Sequence, residues 1–117
     1  MEEKKERMLS AVRFWTIPNG MEEIHDEDYT DLTDLVFKKD EKIYGFITEF
    51  DRDEKMLKSK SKTARDFCDY IYIVTDDNAK RKYIQDNTVK GTGILCYGNS
   101  FGLGYIYQVL REAELIK

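Results

Sequence analysis

Residues 34–77, from Asp34 to Asp77, read DLVFKKDEKIYGFITEFDRDEKMLKSKSKTARDFCDYIYIVTDD. The short apolar run Leu35-Val36-Phe37 is followed by a charged turn, Lys39-Asp40-Glu41, and by a second apolar run that ends in Glu49-Phe50-Asp51. Two apolar runs bracketing a polar turn predict a β-hairpin over residues 34–38 and 42–50. Side chains alternate across a strand, so Ile43, Gly45, Ile47, Glu49 and Asp51 share one face, and Tyr44, Phe46, Thr48 and Phe50 the other. Over residues 53–69 the period changes: Leu57, Ser61, Ala64 and Cys68 recur at helical spacing, with Lys55, Lys58, Lys62 and Arg65 on a neighbouring stripe. Residues 70–75, YIYIVT, form a continuous apolar run, the pattern of a strand covered on both faces.

Toward the N-terminus, Met8, Ala11, Val12 and Trp15 predict a helix over residues 2–15, which Pro18-Asn19-Gly20 ends. Glu2 and Glu3 complement the dipole in its first turn. Residues 21–33 are acidic and weakly patterned, a short strand or loop. Toward the C-terminus, Asp76 or Asp77 caps a short helix over residues 78–86 that packs Ala79, Tyr83 and Ile84. Residues 93–97 and 103–110 are two further strands joined by a turn from Gly98 to Gly104, and residues 111–117 are a charged tail or a short final helix. The order α-β-β-β-α-β-α-β-β predicts an α/β (α+β) fold, a mixed central sheet flanked by helices.

The 117 residues suit one domain over 1–117. At 41% hydrophobic and 13% aromatic, the chain has enough apolar material for a packed core, which excludes general disorder. A net charge of −4 excludes a generic basic nucleic-acid coat, so any nucleic-acid contact is local. Cys68 and Cys96 lie in apolar contexts and read as buried reduced thiols of an intracellular protein. No apolar run reaches membrane-span length, and the polar start MEEKKERML does not suit a signal peptide, so the expected location is the cytosol. His25 is the single histidine and reads as an exposed polar residue. No Ser-His-Asp or Cys-His set and no zinc set assembles around it. Gly98–Gly104 lacks the helix and lysine that follow a phosphate loop and reads as a hairpin. Tyr97, Tyr105 and Tyr107 read as edge-strand packing, with stacking on bases or on a protein partner as the alternative.

The segments Asp34-Leu35-Val36, Lys42-Ile43-Tyr44-Gly45-Phe46, Asp51 with Asp53, Asp69-Tyr70-Ile71-Tyr72-Ile73-Val74 and Gly93-Ile94-Leu95 come in an order that resembles the restriction-endonuclease-like, or PD-(D/E)XK, nuclease superfamily. The likeness is to its small stand-alone members and covers most of the chain. It implies a hairpin with Asp on one strand and Glu-x-Lys on the next. In that family the carboxylates bind Mg2+ or Mn2+, which activates water, while the lysine supplies positive charge. Asp34 matches the Asp. With Gly45-Phe46 as the anchor, Ile47 stands at the Glu position and Glu49 at the Lys position, so the sequence departs from the pattern at both. A shift of two residues gives Glu49-Phe50-Asp51, an acid-x-acid variant.

Two functions follow as expectations from this resemblance. One is a divalent-metal-dependent DNA endonuclease, a hydrolase with Asp34, Glu49 and Asp51 as catalytic metal ligands and Lys58 or Lys62 as the catalytic cation. Lys55, Lys58, Lys62 and Arg65 would then track DNA phosphates, and a homodimer would cut both strands. The other is a catalytically degraded nuclease scaffold, a small phage or mobile-element protein that binds DNA or a protein partner. In its inhibitor form, acidic residues 22–34 imitate a phosphate backbone. The hydrolytic reading requires Asp34 and Glu49 to meet in one pocket, and a one-residue slip of register would move Glu49 and Asp51 to the opposite layer.

Overall fold

The computed structural model describes residues 2–25, 33–49, 54–100 and 103–115. Helix α1 spans Glu2–Thr16, followed by strands β1 (Glu22–Glu23), β2 (Leu35–Lys39) and β3 (Lys42–Glu49). Helix α2 (Glu54–Arg65) leads to β4 (Tyr70–Thr75), and a 3-10 turn (Asn78–Lys80) runs into α3 (Arg81–Asp86). Strands β5 (Gly93–Ser100) and β6 (Leu103–Arg111) complete the set. The six strands form one mixed sheet in the order β1-β2-β3-β4-β5-β6. β1, β2 and β3 are antiparallel neighbours, β3, β4 and β5 are parallel, and β6 returns antiparallel. The α/β (α+β) class and the order of elements are those the sequence predicts.

Parallel neighbours need a crossover, and α2 and α3 supply the two that this sheet requires. Both helices cover the same face: Leu57 and Ala64 of α2 and Ile84 of α3 pack with Ile47, Ile71, Ile73 and Ile94. Helix α1 covers the other face, where Met8, Ala11 and Val12 meet Leu35, Phe37, Phe46, Tyr72, Val74, Leu95 and Tyr97. The alternation expected along β3 therefore holds, with Phe46 toward α1 and Ile47 toward α2. Phe46 is the centre of an aromatic group. Tyr72 stacks on it at 5.4 Å, and Phe37 and Trp15 meet it edge-on at 5.4 and 6.2 Å.

The β2–β3 connection consists of Asp40 and Glu41, with φ of 52° and 67°. Two left-handed residues in a two-residue loop suit a type I′ turn, whose twist matches that of the strands. In mid-β3, Gly45 has no side chain because there is no room for one: an added Cβ would lie 2.7 Å from Cys68 Sγ. The chain leaving α2 thus rests directly on β3. Asp69 then locks it there, its N–H donating to Ile43 O and its Oδ2 accepting from Ile43 N, each at 2.8 Å.

At the far edge, the pairing of β5 with β6 shifts register twice, between Ile94 and Leu95 and between Cys96 and Tyr97. The partners step from Arg111 to Val109 and from Gln108 to Ile106, which leaves Leu110 and Tyr107 as bulge residues.

Of the two candidate caps, Asp77 is the one that acts: its Oδ1 accepts from Ala79 N at 2.9 Å. Two expectations change. The first turn that Asp77 caps is a 3-10 turn that leaves Ala79 exposed, so Ile84 provides the buried anchor. The strand before the Gly98–Gly104 turn runs on to Ser100, the strand after it begins at Leu103 as expected and ends at Arg111, and the connecting residues 101–102 lie outside the described residues. Residues 112–115 carry no regular structure. Among the described residues, no helix is long and apolar enough to cross a membrane.

Candidate functional site

The carboxyl ends of β3 and β4 collect the charged residues of the interior. Asp34 precedes β2, and its N–H donates to Phe46 O at 3.0 Å, which extends the β2–β3 ladder by one step. Its Oδ2 accepts from Thr48 N at 2.7 Å and from Thr48 Oγ1 at 2.9 Å. Its Oδ1 lies 2.9 Å from Lys5 Nζ of α1. Burial acts to raise the pKa of Asp34, but the Thr48 backbone hydrogen bond, Lys5 and the charge of Lys60 outweigh it. The carboxyl is held below its ordinary value.

Glu49 is 0% exposed. Its Oε2 accepts from Thr75 Oγ1 at 3.4 Å and lies 3.4 Å from Lys80 Nζ. Lys80 also reaches Asp76 Oδ1 at 3.0 Å, and Asp76 Oδ2 pairs with Lys4 of α1. Glu49, Lys80, Asp76 and Lys4 form a chain of ion pairs around the carboxyl end of β4, from the α3 side to the α1 side. Burial opposes the charge on Asp76, yet Lys4 and Lys80 bring its pKa below the ordinary value. Burial likewise opposes the charge on Lys80, and Asp76 and Glu49 raise its pKa all the same.

Asp34 and Glu49 therefore engage different partners on different faces of the sheet. Thr48 shares the α1 face with Phe46 and holds Asp34 there, while Glu49 is the next residue along and points to the opposite face. Of the oxygens named above, those of Asp34 face Thr48 and Lys5, and that of Glu49 faces Thr75 and Lys80. Among the described residues no group of three His, Cys, Asp or Glu side chains is placed to hold a metal. Asp51 lies outside the described residues. Lys80 lies beside Glu49, while Lys58 and Lys62 line a groove along α2.

Lys55, Lys58, Lys62 and Arg65 are exposed along α2. Lys58 and Lys62, with Ser61, Asn87 and Thr88, line a groove of about 300 Å³ between α2 and the segment after α3. Among the described residues neither lysine has an ion pair. Asp86, also at the groove, is taken by Lys82 at 3.1 Å. A second cleft, of about 500 Å³, is lined by Lys4, Arg7, Asp76, Tyr97, Gly98 and Tyr107.

In the acidic segment 22–34, Glu23 accepts from two Arg13 nitrogens, Nε at 2.9 Å and Nη2 at 3.1 Å, so α1 ties it down. Residues 26–32 of that segment lie outside the described residues. Cys96 donates its thiol to the Tyr107 hydroxyl at 3.1 Å, and burial pushes its pKa up, the reverse of what a thiolate nucleophile needs.

The sequence reading missed Lys80, Lys4 and Lys5 as carboxylate partners. The Asp76–Lys80 pair was visible as an i, i+4 spacing. The lysines of α1 carry no such signal, since their partners lie far away in sequence. No protein-family model matches the chain, and no curated protein or solved structure matches it.

Proposed function

We propose that the chain is a non-catalytic nucleic-acid-binding module on a nuclease-like scaffold, which grips the phosphate backbone of DNA with α2. The observation that carries this reading is the groove lined by Lys58 and Lys62, where among the described residues neither lysine has an ion pair and the lining carboxylate of Asp86 is paired with Lys82. Ammonium groups are the chemistry of phosphate contact, while Ser61, Asn87 and Thr88 shape the groove and donate to the carbonyls of Lys58, Tyr83 and Ile84. Lys55 and Arg65 extend the track along the helix. The internal pairing of Asp34 with Lys5 and of Glu49 with Lys80 favours binding over metal-dependent hydrolysis. The pairing of Glu23 with Arg13 favours DNA over a basic protein as the partner. Such a module would work in the cytosol.

With a net charge of −4, the chain grips the duplex backbone through this local patch and not through its overall charge, and the binding is salt-dependent. Fluorescence anisotropy on a labelled duplex across a salt series tests it. Lys58→Ala with Lys62→Ala is expected to reduce the slope of log K against log[salt] by about 1.8, roughly 0.9 for each phosphate that is no longer neutralised. Binding that persists unchanged in the double variant would overturn the proposal. Incubation of supercoiled and branched DNA with Mn2+, comparing the wild type with Glu49→Ala, tests the hydrolytic alternative. Cleavage that depends on Glu49 would replace binding with catalysis as the function.

A further inference from the structure

The cleft of about 500 Å³ opens at the carboxyl ends of β4 and β5, the edge of a parallel sheet where ligands commonly settle. Its lining brings three chemistries together. Lys4 and Arg7, one turn apart on α1, form a cationic wall. Asp76 offers a carboxylate acceptor. Tyr97 and Tyr107 offer aromatic surface, and Gly98 leaves bare backbone between them.

Tyr107 is 48% exposed, yet its ring is fixed in place. It lies over Gly98, where an added Cβ would come within 2.8 Å of the ring. Its hydroxyl accepts from the Cys96 thiol, and Tyr105 meets it edge-on with ring centres 6.3 Å apart. A half-exposed ring held in this way is a preformed stacking platform. Lys4 keeps its pair with Asp76 and, as an ammonium with three N–H groups, still has donors for a second anion.

From this convergence we infer that the cleft is a nucleotide-binding site. A flat heteroaromatic ring stacks on Tyr107, its phosphate meets Lys4 and Arg7, and Asp76 accepts from a ring N–H or a sugar hydroxyl. The nucleotide is either free or the 5′-phosphorylated end of a DNA strand. The site shares no residue with the α2 groove and does not rest on the DNA-backbone reading.

The test is heteronuclear NMR on the full 15N-labelled chain, titrated in turn with dAMP, dTMP, inorganic phosphate, and a thymidine oligomer with and without a 5′-phosphate. Both mononucleotides are expected to shift the Tyr97 and Gly98 amides saturably and to bind about tenfold tighter than inorganic phosphate, the low end of what one stacked base contributes. Tyr107→Phe keeps that preference, Tyr107→Leu abolishes it, and Arg7→Gln weakens every phosphate ligand. Tighter binding of the 5′-phosphorylated oligomer than of its 5′-hydroxyl counterpart assigns the site to strand ends. Binding of mononucleotides alone assigns it to free nucleotide. Lys58→Ala with Lys62→Ala leaves the mononucleotide titration unchanged, so failure of the α2 reading is told apart from failure of this one. Equal affinity for phosphate and nucleotide, no saturable shift at these amides, or undiminished preference in Tyr107→Leu would each overturn the inference. If Tyr107→Leu does not fold, Arg7→Gln, on an exposed helix turn, takes its place: unchanged nucleotide affinity in that variant sinks the site.

Discussion

Glu49 is fully buried, and Lys80 Nζ lies 3.4 Å from its Oε2. Removing one partner of such a pair costs more than the pair itself contributes, because the other charge is left stranded. Lys80→Ala is therefore expected to lower unfolding stability by about 3 kcal/mol in urea melts, with Glu49→Gln in the same background restoring much of the loss. Asp34 and Asp76 give a pH dependence of definite sign. Their folded-state pKa values lie below those of the unfolded chain, so the unfolded state binds more protons on acidification. Their contribution is complete above the unfolded value of about 4 and is lost as pH falls through the depressed folded values. Urea midpoints followed from about pH 6 to about pH 2 should drop across that window, and Asp34→Asn should flatten part of the drop. Lys80 acts in the opposite sense. Its raised pKa gives stability that is present below about pH 10.4 and lost as pH rises through the folded value.

Among the elements, the hairpin carries the clearest local tension. Asp40 and Glu41 both sit in left-handed backbone, where glycine and asparagine are the favoured residues. Asp40→Asn with Glu41→Gly is expected to raise stability by about 1 kcal/mol, read as a shift in thermal midpoint. Gly45→Ala is expected to do the reverse. The new methyl would press into Cys68 Sγ, and overpacking of this kind costs about 1–3 kcal/mol. These elements were legible in the sequence because alternation in β3, the 3.6-residue period in α2 and the unbroken apolar run of β4 are local signals. The facing of Glu49 was legible for the same reason. The direction of Asp34 was not. It stands just before β2, where alternation has not yet begun, and the Thr48 N–H and hydroxyl decide which way it turns. The Lys4 end of the ion-pair chain was equally hidden, since Lys4 and Asp76 stand 72 positions apart and meet only once α1 lies across the sheet.

For the molecule as a whole, the sheet sets a gradient of stability from its centre to its edges. β3 and β4 are covered on both faces and paired on both sides, whereas β1 is two residues long and residues 112–115 lie outside the strands. Amide hydrogen exchange should therefore be slowest from Ile71 to Val74 and from Phe46 to Thr48, opening only with global unfolding, and fastest at β1 and residues 112–115. Uniform protection across all six strands would contradict this layout. The two sets of cations obey the same geography: the lysines of α2 and those of α1 lie on opposite sides of the sheet, so a ligand on one set would not compete with a ligand on the other. The outermost strand has one more effect. Its two skipped residues, Tyr107 and Leu110, break the run of free backbone groups within its nine residues. A neighbouring chain that tried to continue the ladder along β6 would fall out of step at those residues, so this edge is a poor template from which filaments could grow.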